Sequence, residues 1–171
     1  WSSDVCSSDL TASVFSFFAE SFQPDVETGT FVQMRSVIDG GWQPLAYING
    51  GGLCLRWFRD ELTGSGGQVS YDDLSAEAKN LNPGSDGLVF VPHFGGRVTP
   101  NDPYVRGSWV GLKFTHKRAH LWRAIMESIA YEYRYYQEVA GQLYPGADLK
   151  VMYAIGGGAK SPLFQIGRAH V

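Results

Sequence analysis

Two cysteines in 171 residues are too few for the disulfide framework that staples small secreted domains. No apolar run comes near the roughly 20 residues that a membrane-spanning helix needs, so no such span is predicted. There is no basic excess either. Against 17 Asp and Glu stand 14 Lys and Arg, for a net charge of −3, and such a balance argues against a nucleic-acid or anionic-membrane partner. Repeats and low-complexity tracts are absent. So is Gly-x-Ser-x-Gly, the nucleophile elbow of Ser/His/Asp hydrolases. Two standard nucleotide loops also fit badly. Lys160-Ser161 follow Ala159 where a Walker loop requires Gly, and Ser161 takes the third glycine place of a dinucleotide fingerprint.

The two ends stand apart from the rest. Ile166-Gly167-Arg168-Ala169-His170-Val171 back-translates to ATC GGA AGA GCA CAC GTC. The reverse complement of that string encodes Asp-Val-Cys-Ser-Ser-Asp, which is Asp4 to Asp9. Two ends encoding opposite strands of one oligonucleotide point to a sequencing adapter, and Trp1-Ser2-Ser3 continue it. Residues 1–10 and 166–171 are therefore expected to be adapter-derived, leaving 11–165 as one domain cut at both ends. Without Asp4, Asp9 and Arg168 the net charge becomes −2. With Cys6 set aside, Cys54 cannot form an internal disulfide, which suits a reducing, cytoplasmic setting.

What is present is a mixed α/β pattern. Residues 12–18, 32–38 and 42–49 are rich in β-branched and aromatic residues and predict three strands, read as an antiparallel meander. Residues 53–62 predict a helix burying Leu55, Phe58 and Leu62, and 71–81 a more polar one. A buried strand at 88–91 precedes an irregular loop over 93–110. Thr115 is the expected cap of the longest helix, 115–143, whose apolar stripe is Leu121, Ile125, Ile129, Tyr136, Val139 and Leu143. Residues 151–155 return to a mixed sheet.

The chemistry concentrates in glycine. Val151 to Ile155 runs into Gly156-Gly157-Gly158-Ala159-Lys160-Ser161-Pro162, a strand followed by a glycine turn and a helix start. Glycine lets the backbone approach a ligand and take positive φ. Ser161 can cap a helix opened by Pro162, and the exposed amides and dipole of that start suit a phosphate. A tight turn with nothing bound is the competing reading. Other candidates are thin. His116 and His120 have the spacing of a zinc pair but lack a third ligand, so no metal site is predicted. His93 reads as an ordinary loop histidine and Glu127 as a buried, hydrogen-bonded helix carboxylate.

Four segments, in order, resemble the C-terminal lobe of the FGGY carbohydrate kinases. Thr11-Ala12-Ser13-Val14-Phe15 resembles the end of that family's phosphate-binding hairpin. Gly50-Gly51-Gly52 with Leu55-Arg56-Trp57-Phe58-Arg59-Asp60 resembles its second glycine turn and helix. Val91-Pro92-His93-Phe94-Gly95-Gly96-Arg97-Val98-Thr99-Pro100, with Asp102-Pro103 and Arg106-Gly107, resembles its Pro-x-x-x-Gly-Glu-Arg-Thr-Pro loop. In that loop the family's Glu-Arg is replaced or shifted by one position. Gly156 to Pro162 resembles its adenosine motif.

The resemblance implies an α/β fold of the actin/hexokinase-like (ribonuclease H-like) class, here a truncated C-terminal lobe with a mixed sheet flanked by helices. It implies ATP and Mg2+, a sugar or polyol acceptor, xylulokinase-like in character, and an N-terminal lobe outside this chain. Thr11 would meet the terminal phosphates, and Gly52 and Arg56 the nucleotide. Gly157 and Gly158 would meet phosphate or ribose, with Ser161 near adenine. The family's catalytic Asp lies upstream of the hairpin, so no catalytic residue is assigned here and the chain alone is expected to be inactive. A homodimer is left open. An actin- or chaperone-type ATPase lobe and a non-catalytic α/β binding domain remain as alternatives.

Overall fold

A computed structural model of the chain describes residues 5–9, 13–64, 69–147, 149 and 151–157. Five strands form one sheet: Val5–Asp9 (β1), Ser13–Ser16 (β2), Val32–Arg35 (β3), Trp42–Ile48 (β4) and Met152–Ile155 (β7), in the order β3-β4-β2-β1-β7. β2 is antiparallel to both β1 and β4, while β1 is parallel to β7. The three consecutive strands are therefore not a simple meander. β2 pairs with β4, and β3 is displaced to the outer edge. The reason lies in residues 17–31. Ala19 still bridges Trp42, after which the Asp25 carboxylate gathers the amides of Thr28, Thr30 and Phe31 and folds the chain past β4. β1 falls among the residues expected to be adapter-derived. Its pairing uses backbone groups that any non-proline residue supplies.

The chain between β4 and the long helix forms a second group of elements. It comprises Gly51–Trp57 (α1), Tyr71–Ala78 (α2) and a hairpin of Val89–Val91 (β5) with Ser108–Val110 (β6). α1 continues as a π-helical turn over Phe58–Leu62. The wider turn rotates the apolar stripe off its 3.6-residue period, so Leu62 is exposed while Cys54 and Phe58 are buried. β6 emerges from the end of the loop predicted to be irregular. α2 is closed by a capping box in which the Ser70 hydroxyl accepts from the Asp73 amide and the Asp73 carboxylate accepts from the Ser70 amide.

Arg118–Leu143 (α3) is the spine. Its cap lies two residues beyond the expected Thr115, at Lys117, with His120 Nδ1 accepting the Lys117 amide at 3.0 Å. His116 Nδ1 likewise accepts the Lys113 amide at 3.1 Å. Both imidazoles thus fasten the helix entry. One face of α3 meets the sheet through aromatic rings. Phe15, fully buried, has Tyr136 at 6.0 Å, Phe31 at 6.1 Å and Tyr133 at 6.4 Å between ring centroids. Such tilted aromatic contacts add to the area they bury.

A buried ion pair ties α3 to this second group. Arg123 Nε donates to Glu127 Oε1 at 2.8 Å, and its Nη1 donates to the carbonyls of Ala78 and Leu81. Glu127 in turn accepts the Gly84 amide at 3.0 Å and the Ser85 hydroxyl at 2.8 Å. Removing one partner leaves the other charge buried and unpaired. Glu127→Ala is expected to cost about 3–5 kcal/mol in urea denaturation.

Asp25 gives a pH-dependent handle. Partial burial alone would raise its pKa, but the hydrogen bonds from the Thr28 hydroxyl and the Thr28, Thr30 and Phe31 amides outweigh that and lower it. A depressed folded-state pKa contributes stability that is present above the unfolded value, about 3.9, and is lost as pH falls through the folded one. In Asp25→Asn the acid limb of stability against pH should be flatter than in the unchanged chain, as followed by circular dichroism.

Candidate functional site

The sheet delivers its glycine turns to one end. The registers Ser13↔Ile48, Asp9↔Ser13 and Ser8↔Ile155 place the start of β2 beside the ends of β4, β1 and β7. From that edge leave Asn49–Gly52 and Gly156–Gly157. Strands lie about 4.8 Å apart, so the β4 and β7 exits are separated by about 14 Å across β2 and β1. Ligands of open α/β sheets bind outside the carboxyl ends of strands, where neighbouring connections diverge. This edge is such a place.

Gly50 takes φ +91° at the cap of α1, a conformation that side chains rarely adopt. The next glycine is required by space. A Cβ on Gly51 would overlap the Ser13 hydroxyl. The Ser13 Oγ is fully buried and has no hydrogen-bond partner among the described residues. A buried polar atom normally has a partner, so Ser13 is a donor or acceptor held in reserve at the mouth of the turn.

Beside the turn lies a cavity of about 420 Å³, walled by Asn49, Gly50, Arg56, Trp57, Phe94 and Gly95 among others. Arg56 is exposed there and makes no ion pair among the described residues. The neighbouring cation, Arg59, is already committed: it pairs with Asp60 at 2.7 Å and lies over the Tyr71 ring at 4.5 Å. Cys54 also lines the cavity, but its thiol is buried and points to the Pro92 carbonyl at 3.7 Å. Burial pushes that thiol up to about 12.

The far wall comes from the 92–107 loop. Its two motif halves form one packed unit, because the Phe94 ring fills the space where Gly107 would carry a Cβ. Phe94 also meets Trp57 edge-on at 4.8 Å and Phe90 at 5.7 Å. Thus Gly107 is glycine for packing.

Of the predicted site residues, Gly52 stands in the first turn of α1, Arg56 on the cavity wall and Gly157 just beyond the end of β7. Gly52 and Gly157 leave the same sheet edge. Thr11, Gly158 and Ser161 lie outside the described residues. Ser13, Asn49, Phe94 and Gly95 were not predicted as site residues. Ser13, Phe94 and Gly95 belong to family-like segments, yet only the fold sets them beside the Gly50 turn. His93 is buried, with Nε2 at 3.5 Å from Glu132 Oε1. Glu127 is the structural carboxylate that the sequence predicts.

The sequence profile described as FGGY family of carbohydrate kinases, C-terminal domain, matches residues 14–169. The chain belongs to this family. Gluconokinase of Bacillus subtilis (strain 168) is 38% identical over 104 residues, covering 56% of this chain and 20% of that protein. Glycerol kinase 2 of Saccharolobus solfataricus is 35% identical over 121 residues, 70% of this chain and 23% of that protein. The FGGY domain also superimposes on the crystal structure of xylulose kinase from Rhodospirillum rubrum with a TM-score of 0.87 at 25% identity. That match covers 99% of this chain and 33% of the kinase. Xylulose kinase from Bifidobacterium adolescentis gives 0.81 at 31% identity, over 96% and 31%. The fold is therefore that of an actin/hexokinase-like C-terminal lobe. The chain spans about a fifth of the curated relatives it matches.

Two outcomes follow for the FGGY domain. At pH 8 the Cys54 thiol is protonated and buried, so peptide mapping after iodoacetamide treatment of folded protein should find it unmodified, and labelled only after denaturation. Gly107→Ala should destabilise by about 1–3 kcal/mol through overpacking against Phe94, measured by thermal or urea unfolding.

Proposed function

We propose that this chain is the nucleotide-binding portion of an ATP-dependent carbohydrate kinase, xylulokinase-like, that transfers the γ-phosphoryl group of ATP to a sugar or polyol hydroxyl. The observation that carries the reading is the convergence of the Gly50 and Gly156 turns on one sheet edge, beside a buried Ser13 hydroxyl and an exposed Arg56 that have no hydrogen-bond partner and no ion pair, respectively, among the described residues. A buried hydroxyl without a partner among the described residues, glycine turns that leave the backbone uncovered and a nearby cation suit an oxygen-rich ligand.

In this reading Thr11 meets the terminal phosphates, with Ser13 buried just behind the Gly51 turn, and Gly52 lets the backbone come close. Arg56 supplies positive charge, Gly157 and Gly158 lie against phosphate or ribose, and Ser161 is near adenine. Mg2+ accompanies the nucleotide and neutralises phosphate charge. Phosphoryl transfer is mainly positioning and charge stabilisation, and these residues provide the positioning on the nucleotide side. The general base that takes the acceptor's proton lies outside this chain, as does the N-terminal lobe with most sugar contacts. Residues 11–165 then carry the domain, with 1–10 and 166–171 adapter-derived, in a cytoplasmic enzyme.

Gly157 provides a clean test. A Cβ there meets nothing within 4 Å, so Gly157→Val should leave the unfolding midpoint close to that of the unchanged chain. Its affinity for MgADP by calorimetry should nevertheless fall by about tenfold or more through steric obstruction of the ligand. Equal affinity in the two proteins contradicts a nucleotide at this turn. Phosphorylation of xylulose, gluconate or glycerol by the 171-residue chain alone contradicts the expected inactivity.

A further inference from the structure

We propose that Glu132 and Arg97 are positioning residues for the nucleotide site, seating the Phe94–Gly95 wall of the Gly50 cavity from behind. The inference rests on the nucleotide reading given above. Glu132 projects from α3, largely buried. Its Oε2 accepts from Arg97 Nη2 at 2.7 Å, and its Oε1 lies 3.5 Å from His93 Nε2. One carboxylate thus grips the residue just before the wall and the residue two beyond it.

Arg97 spreads that grip. Its Nε donates to the Thr99 carbonyl at 3.3 Å, and its guanidinium lies 5.5 Å from the Tyr135 ring centroid. Its backbone bonds Asp102 in both directions, at 2.8 and 2.9 Å. Thr99 completes the frame: its hydroxyl accepts the Tyr47 amide at 3.1 Å and donates to the Tyr47 carbonyl at 3.3 Å. Tyr47 is two residues before Asn49. The loop is therefore fixed to the strand that delivers the glycine turn.

The Glu132–Arg97 pair also lines a second cavity of about 370 Å³, whose walls include His93, Arg97, Asp102, Ser128, Tyr131 and Glu132. The Phe94 ring is held by Trp57, Phe90 and Gly107 on its apolar side, while the residues on either side of the wall, His93 and Arg97, meet Glu132. The pairing is partly buried and charge-assisted, the kind of hydrogen bond that loses most when one partner is neutralised.

The test uses the 171-residue chain, with MgADP as the probe, in calorimetry and hydrogen exchange. Glu132→Gln should weaken MgADP binding by about tenfold. It should speed amide exchange at His93–Arg97 while leaving α2 at Tyr71–Ala78 unchanged. Glu132→Asp should recover part of the affinity, and the Arg97→Ala/Glu132→Ala double variant should bind no worse than the weaker single one. A merely structural role would instead speed exchange throughout and show no such rescue. Should Glu132→Gln fail to fold, Arg97→Lys carries the same measurements. Wild-type affinity and exchange in a folded Glu132→Gln protein overturn the inference alone. If the unchanged chain does not bind MgADP, the nucleotide reading and this inference fall together.

Discussion

The packing of α3 against the β2–β4 sheet is the constraint on which the rest depends. Tyr133 and Tyr136 close over Phe15, and this aromatic contact fixes the rotation of the helix. Once fixed, α3 presents Arg123 and Glu127 toward the α2–β5 connection and Glu132 toward the 92–107 loop. One helix therefore sets the sheet, the second group of elements and a cavity wall together. Its polar residues are spaced along the buried side because each meets a different segment that has buried backbone groups to satisfy.

The site follows from strand direction. β1 parallel to β7, and β2 antiparallel to β1 and β4, bring the β4 and β7 exits to one edge. No side chain is needed to bring the glycine turns together; topology does that. Side chains then refine the edge. Gly51 is forced by Ser13, and Gly107 by Phe94. Asp60 holds Arg59 in direct contact and draws Arg56 only through its charge.

Much of this was legible in the sequence. The apolar stripe of α3 keeps the 3.6-residue period over many turns, and the strands have strong β-branched and aromatic content, so elements and fold class are readable. Errors fell where a non-local or non-standard feature wins. Leu62 was misplaced by a π-helical turn, and β3 by an Asp25-centred connection that carries it past β4. The cap at Lys117 was obscured because His120, rather than a Ser or Thr, satisfies its amide. Motif order singled out Gly52, Arg56 and Gly157. The partnership of Ser13 with Gly51, and of Glu132 with Arg97, spans distances in sequence over which no local signal exists.

Nuclear magnetic resonance of the labelled 171-residue chain titrated with MgADP tests the central claim most directly. The account predicts amide shift changes clustered at Ser13, Asn49–Gly52, Arg56 and Gly156–Gly157, with the β3 edge at Val32–Arg35 unmoved. Saturable changes elsewhere, or none at that sheet edge at any nucleotide concentration, would contradict it.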